Sequence, residues 1–296
     1  MNRRNHIRRS CCDRPCRFRH NGAAQVPLAC SATPLIAVHG LTKDYSRTSL
    51  FSRPRITRAI DNVDFHLENA SVTALIGASG SGKSTLARCI VGLERPTSGS
   101  INYRGRDIRR ASAGERSEYG RNVQIVFQEP AATINPRFTA EAAISEPLRI
   151  AGIGNPRERT EAALYWMGQL GLPAEYAKRP ALRLSGGERQ RLAIARALIS
   201  SPEAIIFDES FSALDLPLAS RIVTLLAGLR QSHNLTCLFI GHDLTMLARV
   251  CSEVAVMYGG RIVEREPMQT FLAAPGHPYS RDLVQSIPRL LPGWPA

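Results

Sequence analysis

No stretch of the 296 residues approaches the ~20 consecutive apolar side chains that a helix needs to cross a bilayer, so a soluble chain is expected. Aromatic residues make up 6% of the chain, and none interleave with a basic stripe of the kind that reads nucleic acid, so no nucleic-acid partner is expected. No sustained heptads are present, which excludes long coiled coils. Seven cysteines occur without a Cys-x2-Cys pair. The Cys11-Cys12-x3-Cys16 cluster therefore lacks the spacing of zinc modules, while Cys89, Cys237 and Cys251 sit in apolar, core-like runs. The arginines near the start are followed by no apolar segment, so no secretion signal is expected from them.

What is present divides the chain. Seven arginines (Arg3, Arg4, Arg8, Arg9, Arg14, Arg17, Arg19) against Asp13 concentrate nearly half of the formal net charge of +13 in the first twenty residues. Residues 1–33 read as a basic, cysteine-containing extension without fold-forming composition, or as an upstream start, with Val26 or Leu28 as alternative initiators. The positive charge left on the body is compatible with a place beside anionic lipid headgroups. From about Leu35 onward strand-like and helix-like segments alternate, which argues for an α/β fold with a ligand at the carboxyl edge of a parallel sheet. Residues 139–185 break that alternation and are rich in Ala, Glu, Leu and Arg, as expected of an inserted helical subdomain.

The apolar run Val72-Thr-Ala-Leu-Ile76 leads into Gly77-Ala-Ser-Gly-Ser-Gly-Lys-Ser-Thr85, and a helix-permissive run follows. This strand, loop and helix order is the context in which a phosphate-binding loop works. Gly77, Gly80 and Gly82 allow backbone conformations closed to other residues. The N–H groups of Ala78, Ser79, Ser81 and Thr85 and their neighbours can then turn toward phosphate oxygens. Lys83 adds a mobile point charge for the β- and γ-phosphates, and Ser84 offers a hydroxyl to Mg²⁺. The loop is expected to bind a nucleoside triphosphate. A second short apolar run, Ala204-Ile-Ile-Phe-Asp208-Glu209, ends in two carboxylates, as a buried parallel strand does when it delivers acids at its carboxyl end. Asp208 is expected in the Mg²⁺ shell and Glu209 at the attacking water.

Leu184-Ser-Gly-Gly-Glu-Arg-Gln-Arg191 opens a helical run with a second polar, flexible helix start at Ser185, Gly186 and Gly187. A chain that already holds one phosphate loop has use for another if it faces a neighbouring subunit's nucleotide. With these motifs the chain resembles the ATP-binding cassette (ABC) ATPases, whose signature LSGGQ stands here as LSGGE. The resemblance implies a P-loop NTPase core, a RecA-like parallel sheet with an antiparallel β subdomain, plus the inserted helical subdomain. It assigns His242, in Gly241-His-Asp243, to the γ-phosphate, and Gln128 to a loop that meets Mg²⁺ and water and couples the core to the helical insert. It also assigns Tyr45 to adenine stacking and Asp215 to the nucleotide-proximal D-loop. Departures are visible: Asp208-Glu-Ser-Phe-Ser-Ala-Leu-Asp215 stands where the family writes DEPTSALD, and Gly241 where it has Thr or Ser.

Two further passages, Gln128-Glu-Pro-Ala-Ala-Thr-Ile-Asn-Pro-Arg137 and His277-Pro-Tyr-Ser-Arg-Asp-Leu-Val-Gln-Ser-Ile-Pro-Arg289, are similar to the peptide/nickel (oligopeptide, dipeptide) importer ATPases. The implied organisation is an ABC ATPase domain over residues 34–274 and an importer-type C-terminal extension over 275–296. What the family implies about assembly is a second ATPase subunit, identical or a sister, on two integral membrane permeases at the cytoplasmic face of the inner membrane. ATP and Mg²⁺ serve as ligands, and an extracytoplasmic solute-binding protein delivers cargo to the permeases. A cytosolic ABC ATPase of a phosphonate carbon–phosphorus lyase assembly would carry the same motifs and stays open as the alternative.

Overall fold

The computed structural model describes residues 33–49, 52–211 and 216–286. The basic extension with its four cysteines, Asp215 with the rest of residues 212–215, and the chain beyond residue 286 lie outside the described residues. Among those described, no helix is long and apolar enough to cross a membrane.

Strands β1 (Ile36–Ser49) and β2 (Ser52–Leu67) form a long antiparallel pair, and β3 (Val72–Ile76) runs into helix α1 (Lys83–Ile90). The two early strands extend well beyond the apolar cores visible in sequence, because their distal halves pair through backbone whatever the side chains are. Next come β4 (Ser98–Tyr103), β5 (Arg106–Asp107), α2 (Ala113–Asn122) and β6 (Val123–Val126). Helices α3 (Ala140–Ile150) and α4 (Pro156–Gln169) form the insert that precedes α5 (Gly186–Leu198). The insert is pinched at its neck: Ala140 N–H donates to Arg179 O at 2.9 Å and Ala181 N–H to Phe138 O at 2.9 Å. The chain continues through β7 (Ala204–Asp208), α6 (Leu216–His233), β8 (Thr236–Gly241), α7 (Leu244–Val250), β9 (Glu253–Tyr258) and β10 (Arg261–Pro267). It closes with α8 (Met268–Ala273) and α9 (Pro278–Gln285).

One sheet has the order β2-β1-β4-β5 and is antiparallel; the other has the order β10-β9-β3-β8-β7-β6 and is parallel except for β10. Every residue of β3 and β7 is buried, as a strand covered on both faces requires. Alternate side chains feed two cores. Ile205 and Phe207 pack with the insert and α5, whereas Ala204 and Ile206 pack with α1 and the antiparallel sheet. Cys89, Cys237 and Cys251 lie in these cores. Burial pushes the Cys89 thiol up to about 11 and that of Cys237 to about 12, so both are inert thiols.

This topology positions the site. Ile76 pairs with Gly241, Asp208 with Ile240, and Val126 with Phe207. The loops after β3, β7, β8 and β6 therefore leave the sheet side by side at one carboxyl edge, where open α/β sheets bind ligands.

Candidate functional site

The Gly-rich loop is shaped by close backbone contacts. A Cβ on Gly77 would lie 2.1 Å from Met257 O, and one on Gly82 2.3 Å from Ala59 O, so only glycine fits at either position. The loop is also tied to β9–β10, since Gly260 N–H donates to Ser81 O at 3.1 Å. Ala78, Ser79 and Gly80 form its exposed crest and Ser81 is buried. Lys83 is only 5% exposed. Its ammonium donates to Gly77 O at 2.9 Å, Ala78 O at 2.8 Å and Ser81 Oγ at 3.4 Å. The mobile charge expected from sequence is thus a held one, because the loop curls its own carbonyls around the amine. Burial lowers the Lys83 pKa, opposed by the carboxylates of Glu209 and Asp208.

Asp208 at the end of β7 is 4% exposed and accepts a hydrogen bond from Ser84 Oγ at 2.9 Å. Burial raises its pKa, with the Ser84 bond and the Arg88 charge pulling the other way. A hydroxyl and a carboxylate side by side are hard oxygen donors of the kind Mg²⁺ takes. Among the described residues no cluster of three or more His, Cys, Asp or Glu forms a metal cage. Such a cation would keep waters and phosphate oxygens as its remaining ligands.

Glu209 turns the chain out of β7 at φ 51, a left-handed conformation rare outside glycine, and its N–H donates to Ile240 O at 2.9 Å. Beneath it Phe207, Phe211 and Phe239 pack ring to ring, with centroids 4.8–5.2 Å apart. Glu209 and His242 line one small cavity of about 50 Å³ over these rings. His242 also lines a second cavity, of about 130 Å³, with Gly77 and with Leu283 and Ser286 at the C-terminal helix α9. The structure thus brings together Lys83, Ser84, Asp208, Glu209 and His242. Gln128 is exposed in the bend after β6.

Tyr45 is 36% exposed in β1. Its hydroxyl donates to the Glu94 carboxylate, and Thr85 of the phosphate loop also reaches the phenol. Lys43 lies 5.0 Å from the ring centroid and 3.6 Å from Glu94. Glu94 carries no motif and was invisible to sequence reasoning. Ser185 and Gly186 are exposed at the start of α5, where Ser185 and Glu188 form a capping box: Ser185 Oγ accepts from Glu188 N–H at 3.3 Å and Glu188 accepts from Ser185 N–H at 2.7 Å. The Ser-x-x-Glu spacing is the signal that could have identified Glu188. Among the described residues no hydrogen bond joins this helix start to the phosphate loop of the same chain. At the far end, His277 caps α9 by accepting from Tyr279 N–H at 3.2 Å, Pro278 takes the first helical position, and the Tyr279 ring packs tilted against that of Tyr258, with centroids 4.6 Å apart.

The family model described as "ABC transporter" matches residues 60–212. A putative peptide import ATP-binding protein of Brucella ovis is 41% identical over 256 residues, covering 86% of this chain and 79% of the relative. The dipeptide transport ATP-binding protein DppF of Escherichia coli is 38% identical over 260 residues, covering 88% and 78%. Among solved structures, a dimeric bacterial ABC transporter cassette superposes with a TM-score of 0.72 at 28% identity, covering 79% of this chain and 98% of the other. A dimeric cassette in a post-hydrolysis state with ADP and phosphate gives 0.71 at 27% identity, with the same coverage.

Proposed function

The chain belongs to the ATPases of the ABC transporter family, and from that premise we propose that it drives uptake of peptides, with nickel or a related small solute as the other candidate cargo. The observation that carries the cargo class is its identity of 41% and 38% to proteins named for peptide and dipeptide import. The peptide-importer form of His277-Pro-Tyr-Ser280, seated at the start of α9, supports it. The subunit binds nucleotide and hydrolyses ATP. Its partners are a second ATPase subunit and two membrane permeases, which place it peripherally at the cytoplasmic face of the inner membrane, and a solute-binding protein acts upstream. Residues 34–274 act as the ATPase domain, with 139–185 as the helical insert and 275–296 as the extension.

The proposed residue roles rest on the motifs, with the geometry of the described residues as support. Lys83 and the N–H groups from Gly77 to Thr85 hold the phosphates, and Tyr45 stacks on adenine, its ring braced through Glu94. Ser84 and Asp208, with Gln128, would hold Mg²⁺, which would neutralise phosphate charge when bound. Glu209 accepts a proton from the attacking water, and His242 steadies the γ-phosphate end of the site. Ser185, Gly186 and Gly187 present their helix start to the nucleotide on the opposite subunit, and the family resemblance gives Asp215 a nucleotide-binding role as well. Closing and reopening of the pair moves the permeases, so this subunit handles ATP and leaves the solute to them.

Glu209→Gln tests the reading. It keeps the side-chain shape and removes the charge, so hydrolysis should fall by the ~10²–10⁴-fold typical of a lost general base while ATP still binds. Lys83→Ala should instead lose nucleotide binding. Undiminished turnover by Glu209→Gln would overturn the catalytic assignment, and co-purification with soluble enzymes in place of permeases would overturn the transport assignment.

A further inference from the structure

Ser210, the residue after Glu209, is 1% exposed, and its hydroxyl donates to Val126 O at 2.6 Å, with Asp208 O the more distant acceptor at 3.3 Å. Val126 is the last residue of β6, two positions before Gln128. The next carbonyl, that of Phe127, is approached from α5 by Gln190, whose Nε2 lies 3.5 Å away. Gln190 is itself 1% exposed and its Oε1 has no hydrogen-bond partner, so its hold on the segment is loose beside that of Ser210. The two residues leading to Gln128 are therefore gripped from the Glu209 turn on one side and touched from the signature helix on the other.

Glu209 needs such a grip. A non-glycine residue at φ 51 is in a left-handed conformation that is strained and persists only where neighbouring contacts impose it. Among the contacts that flank it are its own N–H to Ile240 O, toward the His242 loop, and the Ser210 hydroxyl to Val126 O, toward the Gln128 loop. The aromatic stack under the turn offers shape but no directional bond.

We propose that Ser210 is a positioning residue for ATP hydrolysis: its buried hydroxyl holds the Glu209 turn in its left-handed conformation and sets it against the Gln128 loop. This inference rests on the roles given above to Glu209 and Gln128. Its chemistry is a single hydrogen bond between the end of β7 and the end of β6, acting on where the water-polarising carboxylate and the Gln128 amide stand relative to each other. Ser210 touches no reactant.

The test is steady-state ATPase kinetics of Ser210→Ala, alone and combined with Gln128→Ala, with Glu209→Gln as reference. Ser210→Ala should lower kcat about tenfold while the KM for ATP stays within about twofold, the pattern of an interaction that matters in the transition state. Ser210→Thr, which restores the hydroxyl, should recover most of the loss. Combined with Gln128→Ala, the two effects should be markedly less than additive, because the bond acts partly through Gln128. Unchanged kcat in Ser210→Ala, full additivity with Gln128→Ala, or a kcat loss that simply follows a fall in urea midpoint would overturn the proposal. If Ser210→Ala does not fold, Ser210→Cys, of similar volume with only a weak donor, carries the same comparison. A normal Glu209→Gln would instead overturn the catalytic reading on which it rests.

Discussion

Asp208 is buried as an anion at the end of β7, and its surroundings resist that charge more than they favour it. Its pKa in the fold lies above its ordinary 3.8, so the folded state holds the proton more tightly than the unfolded chain does. The ionised group is then a net cost to folding at neutral pH, one that is absent below pH 3.8 and accrues as pH rises through the folded pKa. Asp208→Asn removes the charge but can still accept the Ser84 hydroxyl. We expect it to raise the thermal midpoint of the nucleotide-free protein at pH 7 and to leave little difference from wild type near pH 3.5, while abolishing most Mg²⁺-dependent hydrolysis. Thermal unfolding of both proteins across that range checks it, and a variant less stable than wild type at pH 7 would contradict the electrostatic argument. Lys83, Asp208 and Glu209 could be singled out in the sequence because a motif fixes both residue type and spacing, and the structure puts them at one sheet edge. Ser210 and Glu94 could not. Their partners lie 84 and 49 positions away in the chain, and no local pattern announces a contact of that range.

Elements were legible to the degree that local physics specifies them. β3, β7 and β8 read as buried strands because covering on both faces demands unbroken apolar runs, and α5 was marked at its start by Ser185. The part of β1 beyond Val38 and the start of β2 before Ile56 were missed, since polar residues such as Lys43 and Asp44 pair there through backbone and ion pairs, Asp44 with Arg58 at 2.9 Å among them. The loop between β3 and α1 makes the most specific demand of any element. Gly82 adopts φ 107 and its missing Cβ leaves room for Ala59 O of β2, so the loop's shape depends on a strand of the other sheet. Gly82→Ala places a methyl 2.3 Å from that carbonyl, an approach that backbone must move to relieve. The expected outcome is loss of ATP binding by equilibrium dialysis, together with a stability loss on the order of the ~1–3 kcal/mol seen for strained or overpacked sites. A variant that bound ATP normally would show that β2 does not shape the loop.

At the scale of the whole molecule, the alternation of strands and helices announced an α/β fold, but the order β10-β9-β3-β8-β7-β6 could not be read, because pairing partners are chosen by tertiary packing. That order puts the phosphate loop, Asp208, Glu209 and His242 on one edge, while α5 begins elsewhere with Ser185 and Gly186 exposed. On the function proposed above, one chain carries two halves of different nucleotide sites, and a head-to-tail pair would complete both. Two inactive variants should then rescue each other. A Cβ on Gly186 would meet nothing within 4 Å, and an acidic residue in the first turn of a helix is favoured by its dipole. Gly186→Asp should thus fold as well as wild type and bind ATP at its own loop, yet its carboxylate would face the triphosphate held by the opposite subunit and block hydrolysis. Lys83→Ala should be inactive for the complementary reason. In a mixed pair both lesions fall in the same site: the Lys83→Ala loop faces the Gly186→Asp helix, and the other site joins an intact loop to an intact helix. Mixing the two proteins should restore ATPase activity that neither has alone, rising with total protein concentration as pairs form. Activity absent at every mixing ratio, with both variants folded and Gly186→Asp still binding ATP, would show that the two motifs do not meet across a pair of this chain.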